Sequence, residues 1–162
     1  MDQIQKCPSA HTDAASDHAP VRIWHQSFTV LEHLPDYAEA LHKHFVRISR
    51  SNTEVVLHGM HPDTYATSYP GLDIRYSYVQ KLHSQQFVAN AIAAEEQGYD
   101  AFALMTLPEP SLLDIRSLLD IPVVGYCESA SLTSVMLGMN FGILHFIPEL
   151  APHIRTTVQR IG

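Results

Sequence analysis

Several short polar segments follow apolar, β-rich runs of the sequence, and they contain residue types that bind or act on small molecules. Amide, hydroxyl and imidazole groups donate and accept hydrogen bonds, and histidine, carboxylate and thiol groups also transfer protons. We therefore expect a polar ligand site if the fold brings these segments together. The segments contain Gln26 and Ser27, residues 58–62, residues 106–109, residues 126–129, and His145.

The apolar pattern predicts strands that alternate with helices from Val21 onward. Four β-rich runs, VRIWH, TEVVLHG, DAFALMTL and IPVVGY, are separated by segments whose apolar residues recur at helical spacing. A further strand, FGILHF, and a C-terminal helix are expected after Gly138. This alternation is typical of an α/β fold with a parallel sheet flanked by helices on both faces. Ligands bind such sheets at the carboxyl ends of the strands, where the polar segments lie.

Four helices are predicted between and after these strands. In LPDYAEALHKHFVRIS, the residues Tyr37, Leu41, Phe45 and Ile48 recur at helical spacing. YVQKLHSQQFVANAIAAEEQG has the same periodicity and reaches Gly98, a natural helix stop. SLLDIRSLLD and ESASLTSVMLG are shorter, and the second of them ends at a glycine.

Composition and charge narrow the class of protein. The 162 residues are 46% apolar and 17% charged, as in one soluble globular domain, and the net charge of -7 argues against a nucleic-acid partner. Residues 1–20 predict a disordered tail and lack the apolar core of a signal peptide, and no run is long enough to cross a membrane. Cys7 and Cys127 do not suggest a disulfide framework, so a cytoplasmic protein is expected; homo-oligomerisation is left open.

Three stretches together carry a family resemblance: WHQSF, EEQGYDAFALMTLPEPSLLDIRSLLDIPVVGYCESA and LGMNFGILHF. The middle stretch is the most specific because of the order of its motifs. It begins with G-Y-D-A-F and a short apolar strand, continues with P-x-L, and ends with D-I-P-V-V-G and a following acidic residue. It is similar to the hydantoin racemase branch of the aspartate/glutamate/hydantoin racemase superfamily, and the resemblance covers nearly everything after Val21. It implies two similar α/β halves with the active site between them. It also implies inversion, without metal or organic cofactor, of a carbon acidified by a carboxylate, amide or hydantoin carbonyl.

The resemblance further implies two catalytic cysteines, one from each half, whereas decarboxylase relatives keep only the second. The position of the first cysteine is Thr106 here, and a threonine hydroxyl is too weak an acid to replace a thiol as the base. The second cysteine would lie beyond Gly162. We therefore expect either a piece of a longer protein or a truncated gene. On that view residues 21–138 form the first half, and residues 139–162 are the first strand and helix of an incomplete second half.

The sequence leaves three functions open. In its complete form the protein would racemise or isomerise a small carboxylate or cyclic amide by cofactor-independent proton transfer. A cofactor-free decarboxylase or isomerase that tolerates loss of the first thiol is the alternative among enzymes. The rival from another class is a non-catalytic remnant that binds a small acid or nothing.

The resemblance assigns candidate roles to individual residues. Gln26 and Ser27 match the polar pair that holds the substrate carbonyl. Thr106 and Leu107 would line a carboxylate-binding wall, or they simply belong to the turn that starts the next helix. Glu128 resembles the acidic residue that follows PVVG, for which a capping or supporting role is favoured over acid–base work. Ser129 and His145 are further candidates for substrate binding because they follow strand ends.

Cys127 and the histidines have competing interpretations. A thiol at a helix N-terminus has the setting that lowers its pKa, but the family has its thiol elsewhere, and a buried free cysteine is most often a small hydrophobe. His25, like His145, is expected to form hydrogen bonds in the site or simply to face solvent. No histidine pattern predicts a metal: His42 and His44 point in different directions on a helix, and the pair His58 and His61 has no third ligand near in sequence. No metal or organic cofactor is expected.

Overall fold

Four parallel strands form the single sheet of the structure, a computed structural model that describes residues 19–138 and 140–161. The expected tail lies outside these residues, apart from residues 19 and 20. The strand order is β2-β1-β3-β4, and every pair is parallel, which confirms the predicted α/β fold. The strands are β1 (Val21–Ser27), β2 (Thr53–His58), β3 (Ala101–Met105) and β4 (Val123–Gly125).

Within the described residues, six helices connect and follow the strands. The four predicted between and after the strands are present, and Gly98 ends the longest of them with a positive φ of 73°, a conformation that glycine adopts without strain. Two 3-10 turns accompany them, Leu31–His33 and Pro148–Leu150. The helices are α1 (Pro35–Ile48), α2 (Pro70–Ile74), α3 (Ser77–Glu96), α4 (Leu112–Leu118), α5 (Tyr126–Leu137) and α6 (Ala151–Ile161).

Alternation along the strands divides the sheet into two faces. Trp24 and Gln26 lie on one face beside Phe102 and Leu104, and α3 and α4 cover this face with buried apolar side chains. His25 lies on the opposite face, where its ring contacts Phe45 of α1. Helices therefore cover both faces, as predicted, but α1 contributes no buried residue.

The segment after α5 differs from the expectation. FGILHF has no strand in the structure, so the predicted fifth strand is wrong. A strand needs a hydrogen-bonded neighbour, and this segment instead runs alongside α5 and α6. Leu150 and Ile154 are buried against Ile74 in a second, smaller apolar cluster. The C-terminal helix thus packs on residues 21–138, which were expected to form the first half.

No helix in residues 19–138 and 140–161 is both long and apolar enough to cross a membrane.

Candidate functional site

A small cleft adjoins Thr106 where β3 ends. Its free volume is about 20 Å³, which is room for about one water molecule. Thr106 is buried, and its neighbours in the cleft come mainly from α3 and from the loops after β1, β2 and β3. The cleft is therefore at the edge of the sheet where parallel α/β proteins bind ligands. It is lined by Phe28, Tyr65, Ile74, Gln80, His83, Phe87, Thr106, Leu107, Pro108 and Pro110.

His83 supplies this cleft with a titratable group. Its Nδ1 atom is buried and has no hydrogen-bond partner among the described residues. Desolvation lowers the pKa of His83, and a hydrogen bond to the backbone of Thr64 and the charge of Asp73 offset this only in part. The ring is therefore neutral at pH 7, and in the tautomer with its proton on Nε2, Nδ1 is a free proton acceptor.

Tyr65 holds the outer side of the His83 ring. The two rings meet edge to face with their centroids 4.7 Å apart. The Tyr65 hydroxyl donates a hydrogen bond to the backbone oxygen of Phe28, and burial raises its pKa, so it stays protonated. Tyr65 therefore lines the cleft as a neutral side chain.

Helical spacing explains why His83 faces the sheet. Phe87 follows His83 by four residues, Asn90 follows Phe87 by three, and Ala94 follows Asn90 by four. Phe87 and Ala94 are buried, and Asn90 contacts Gln26 of β1. His83 was not expected as a site residue, although its position on the apolar stripe of the predicted helix was an available signal.

Gln26 is not among the residues that line the cleft, and its side chain is occupied by internal hydrogen bonds. Its Oε1 atom accepts hydrogen bonds from Trp24 Nε1 and Asn90 Nδ2, each over 3.0 Å. Its Nε2 atom donates to the backbone oxygens of Ser27 (2.9 Å) and Gly59 (3.2 Å). All four hydrogen-bonding positions of the amide are thus filled, so holding a substrate carbonyl would require breaking bonds that connect β1 to α3 and to the loop after β2.

Ser27, the second member of the expected polar pair, points away from this amide. It is buried, and its hydroxyl is 2.8 Å from the Thr29 hydroxyl and accepts the Thr29 backbone N–H over 3.2 Å. Ser27 therefore shapes the turn after β1, and it is not among the residues that line the cleft beside Thr106.

Glu109 was expected only as part of a polar segment, and the structure places it at the N-terminus of α5. Its Oε1 atom accepts the backbone N–H of Glu128 over 2.8 Å, and the Cys127 backbone N–H also favours its charged form. Its Oε2 atom is buried and has no partner among the described residues. Burial, the largest effect, raises the Glu109 pKa. A carboxylate from the loop after β3 therefore occupies the position that an anionic ligand would take at this helix end.

Cys127 is consequently a poor base. Its side chain is only 2% exposed, and burial together with the charge of Glu109 raises the thiol pKa, which a hydrogen bond to Ser131 and the charge of Arg160 only partly counteract. The helix N-terminus, which by itself would lower the pKa, is already occupied by Glu109. The geometry favours the interpretation of Cys127 as a small buried hydrophobe.

Glu128 and Ser129 lie on the first turn of α5. Glu128 forms an ion pair with Arg116 of α4, including a 3.2 Å contact between Arg116 Nη1 and Glu128 Oε1, and this hydrogen-bonded partner lowers the Glu128 pKa. The carboxylate thus joins two helices and is not free to accept a proton near neutral pH. Ser129 is half-buried.

The other histidines do not converge on Thr106. His145 lies in an open groove formed by residues 140–145 and α6, with a buried Nδ1 that has no partner among the described residues. Burial lowers the pKa of His25 to about 4 on the opposite face of the sheet. Burial also lowers the pKa of His58 to about 4, and its ring stacks on Trp24 with centroids 3.3 Å apart. In the described part of the chain, no three metal-ligating side chains come together.

Leu107 is the one expected substrate-binding residue that shares the cleft with Thr106. The turn between Thr106 and α4 has Ser111 at its N-cap position with a φ of 60°, and the Ser111 side chain makes no capping hydrogen bond. The side-chain capping that would explain this segment as a simple helix start is therefore not observed at Ser111.

Comparison with known proteins finds relatives that match part of the chain. No protein-family model matches the chain. A hydantoin racemase from Pseudomonas sp. (strain NS671) is 32% identical over 68 residues, which are 42% of this chain and 27% of the relative. A hydantoin racemase from Paenarthrobacter aurescens is 30% identical over 70 residues, which are 43% of this chain and 30% of the relative.

The fold has a relative of known structure. An allantoin racemase from Klebsiella pneumoniae superposes with a TM-score of 0.70 at 20% identity, over 87% of this chain and 54% of that protein. The resemblance of the sequence to the racemase superfamily is thereby confirmed. The chain spans about half the length of the allantoin racemase, and the matched segments span less than a third of the two hydantoin racemases.

Proposed function

We propose that this protein acts on a small carboxylate or cyclic amide by cofactor-independent proton transfer at a carbon next to a carbonyl group. The reaction is placed at the cleft beside Thr106. The observation that carries the proposal is that Thr106 and a neutral His83 lie in one cleft at the carboxyl edge of the sheet. The Nδ1 atom of His83 has no partner among the described residues. The likeness to hydantoin and allantoin racemases supports the substrate class.

His83 is the proposed base. Its Nδ1 lone pair takes the proton from the activated carbon, and the electron pair of the broken C–H bond forms a C=C bond while the carbonyl electrons move to oxygen. The resulting imidazolium returns a proton to the carbon, and the oxygen regains its carbonyl form. The Thr106 hydroxyl donates a hydrogen bond to the enolate oxygen, where the negative charge develops.

The choice of His83 follows from the state of the thiols. Thr106 stands where the resemblance implies a cysteine, and Cys127 has a pKa raised by burial, so neither residue supplies a thiolate at pH 7. A neutral imidazole transfers protons in this pH range without such activation. Because the cleft holds only about 20 Å³, some of its lining side chains must move to admit a ring-shaped substrate.

The test is hydrogen–deuterium exchange at the α-carbon of L-alanine and of 5-methylhydantoin in D₂O, followed by proton NMR. We expect the chain to accelerate loss of the α-proton signal, and His83→Asn to abolish the acceleration. Thr106→Ala should reduce it about 100-fold, the size of one oxyanion donor. His33→Asn, which changes an exposed histidine outside the cleft, is the matched control. Exchange that survives His83→Asn would contradict the role of His83.

Two alternatives have distinct results. Replacement of the first thiol by Thr106 favours a decarboxylase or isomerase relative, for which substrate-dependent release of CO₂ is the readout. The same replacement equally favours a non-catalytic protein that binds a small acid. Such a protein would shift the His83 imidazole signals on titration with the acid, but would show neither exchange nor CO₂.

A further inference from the structure

The cleft at the end of β3 offers one side chain that can take up a proton. The Tyr65 hydroxyl and Gln80 Nε2 each donate a hydrogen bond to a backbone oxygen, and the Thr106 hydroxyl is too weak an acid to act as a base near pH 7. His83 Nδ1 remains, because it has no partner among the described residues. A single base reaches one face of a bound substrate. Inversion of a carbon needs proton transfer on both faces, so this cleft favours a reaction that returns the proton to the face it left.

The cleft is also uncharged. Its lining residues include no Asp, Glu, Lys or Arg, and they all lie between Phe28 and Pro110, so the cleft does not depend on the segment after α5. The Asp73 carboxylate acts on the cleft from outside, since its charge raises the pKa values of both His83 and Tyr65. A substrate carboxylate would lose its hydration without gaining a cation, and this charge would repel it. A neutral carbonyl compound therefore fits the cleft better than an anion does.

The surroundings of His83 make it a weak base. Desolvation lowers its pKa below the ordinary value of 6.5, and the charge of Asp73 offsets only part of this effect. A weak base removes a proton at a useful rate only from a carbon that is itself comparatively acidic. A carbon that lies between a carbonyl group and a C=C bond meets this requirement, because both groups share the negative charge left behind.

We propose that this cleft catalyses a 1,3-proton shift, in which His83 converts a neutral β,γ-unsaturated carbonyl compound into its conjugated isomer. The proposal rests on the proposed function, because it uses the same base and the same Thr106 hydroxyl as donor to the enolate oxygen.

The proton and the electron pairs balance within the substrate and the imidazole ring. His83 Nδ1 takes the proton from the α-carbon, and the electrons of the broken C–H bond form a C=C bond to the carbonyl carbon while the carbonyl electrons move to oxygen. The imidazolium then gives the proton to the γ-carbon on the same face. The oxygen electrons restore the carbonyl group, and the remaining double bond lies between the α- and β-carbons. No co-reactant is required.

Isomerisation of 4-penten-2-one to 3-penten-2-one by the full chain tests the proposal, with the ultraviolet absorbance of the conjugated ketone as the readout. We expect a rate above that of the buffer, a return to the buffer rate in His83→Asn, and a roughly 100-fold loss in Thr106→Ala. Thr106→Ser keeps the hydroxyl and should retain most of the activity. His33→Asn, which changes an exposed histidine outside the cleft, is the matched control. Circular dichroism must show that all variants are folded. Isomerisation that survives His83→Asn would overturn the proposal.

Proton NMR of the same ketone in D₂O separates this proposal from the proposed function. Loss of the α-proton signal reports removal of the proton alone, whereas displacement of the vinyl signals reports the completed shift. Exchange without isomerisation would overturn the 1,3-shift and leave the proposed function standing. The lack of both would overturn both.

The pH dependence of the unmodified chain provides a measurement that needs no variant. Because the pKa of His83 is lowered, the ring stays deprotonated below the ordinary value of 6.5, and the base form is the active one. The isomerisation rate should therefore fall with a midpoint below pH 6.5. A midpoint at or above pH 6.5 would show that another group is the base and would overturn the proposal.

Discussion

Glu109 Oε1 accepts the backbone N–H of Glu128 over 2.8 Å, so a side chain from the loop after β3 caps the N-terminus of α5. The residues are 19 positions apart, and β4 lies between them along the chain. The contact decides the chemistry of this helix end. It fills the position of an anionic ligand, and its charge helps to keep the neighbouring Cys127 thiol protonated.

The raised pKa of Glu109 predicts a pH-dependent stability. Below the ordinary carboxyl pKa of 4.5 this residue is protonated in both the folded and the unfolded chain, and above it the unfolded chain ionises first. Stability from Glu109 is therefore lost as the pH rises above 4.5. Glu109→Gln retains an acceptor for the Glu128 N–H and does not titrate, so it should gain stability relative to the unmodified chain between pH 4 and pH 7. Urea denaturation at both pH values measures this, and a difference independent of pH would contradict it.

Gly125→Ala should displace the Glu109 cap. A Cβ atom at residue 125 would collide with the Glu109 carboxyl group and lie 2.7 Å from Leu112 Cδ2. We expect a loss of about 1–3 kcal/mol in the free energy of unfolding. Gly142→Ala is the matched control, since nothing lies within 4 Å of its Cβ position. The double variant Gly125→Ala/Glu109→Ala should lose less than the sum of the single variants, because both remove the same contact. Full additivity would show that the cap is not the group displaced.

Gln26→Ala should destabilise the fold by about 3 kcal/mol, because it leaves Trp24 Nε1 and Asn90 Nδ2 without their acceptor. Gln26→Glu should be at least as harmful at pH 7, since a carboxylate oxygen would face the carbonyl oxygens of Ser27 and Gly59. Thermal denaturation compares these variants with Gln85→Ala, an exposed glutamine of α3. A Gln26→Ala protein of unchanged stability that fails to bind substrate would restore the role in binding the substrate carbonyl.

Cys127 should resist alkylation in the folded protein. Its side chain is buried, and its pKa lies above the ordinary value, so little thiolate is present at pH 8 and reagents cannot reach it. In a Cys7→Ser background, iodoacetamide should modify Cys127 at least 100-fold more slowly than it modifies the urea-unfolded chain, as followed by mass spectrometry. Rapid modification of the native protein would show an accessible, activated thiol and would reopen its catalytic role.

Local sequence patterns were sufficient to predict the parallel sheet and most helices. The strand IPVVG, with its uninterrupted apolar residues, and the stop at Gly98 follow from short-range preferences. The same patterns overestimated burial. Tyr37 and Ile48 lie on the predicted face of α1 but are 47% and 58% exposed, because periodicity predicts a helix and not how closely the helix approaches the sheet.

Only the tertiary structure decided which polar groups meet. His83 and Thr106 share a cleft, Asn90 donates a hydrogen bond to Gln26, and Glu109 caps α5. These contacts join residues that are 19 to 64 positions apart in the sequence. A polar side chain at a strand end binds either a ligand or a distant part of its own chain, and the residue type is the same in both cases. FGILHF likewise has the composition of a strand but no neighbour to complete its hydrogen bonds. The sequence by itself determined the fold class and its resemblance to the racemase superfamily. The packing of distant segments determined the pKa of Cys127, the internal role of Gln26 and the position of His83, because desolvation and hydrogen-bond partners exist only once those segments are in contact.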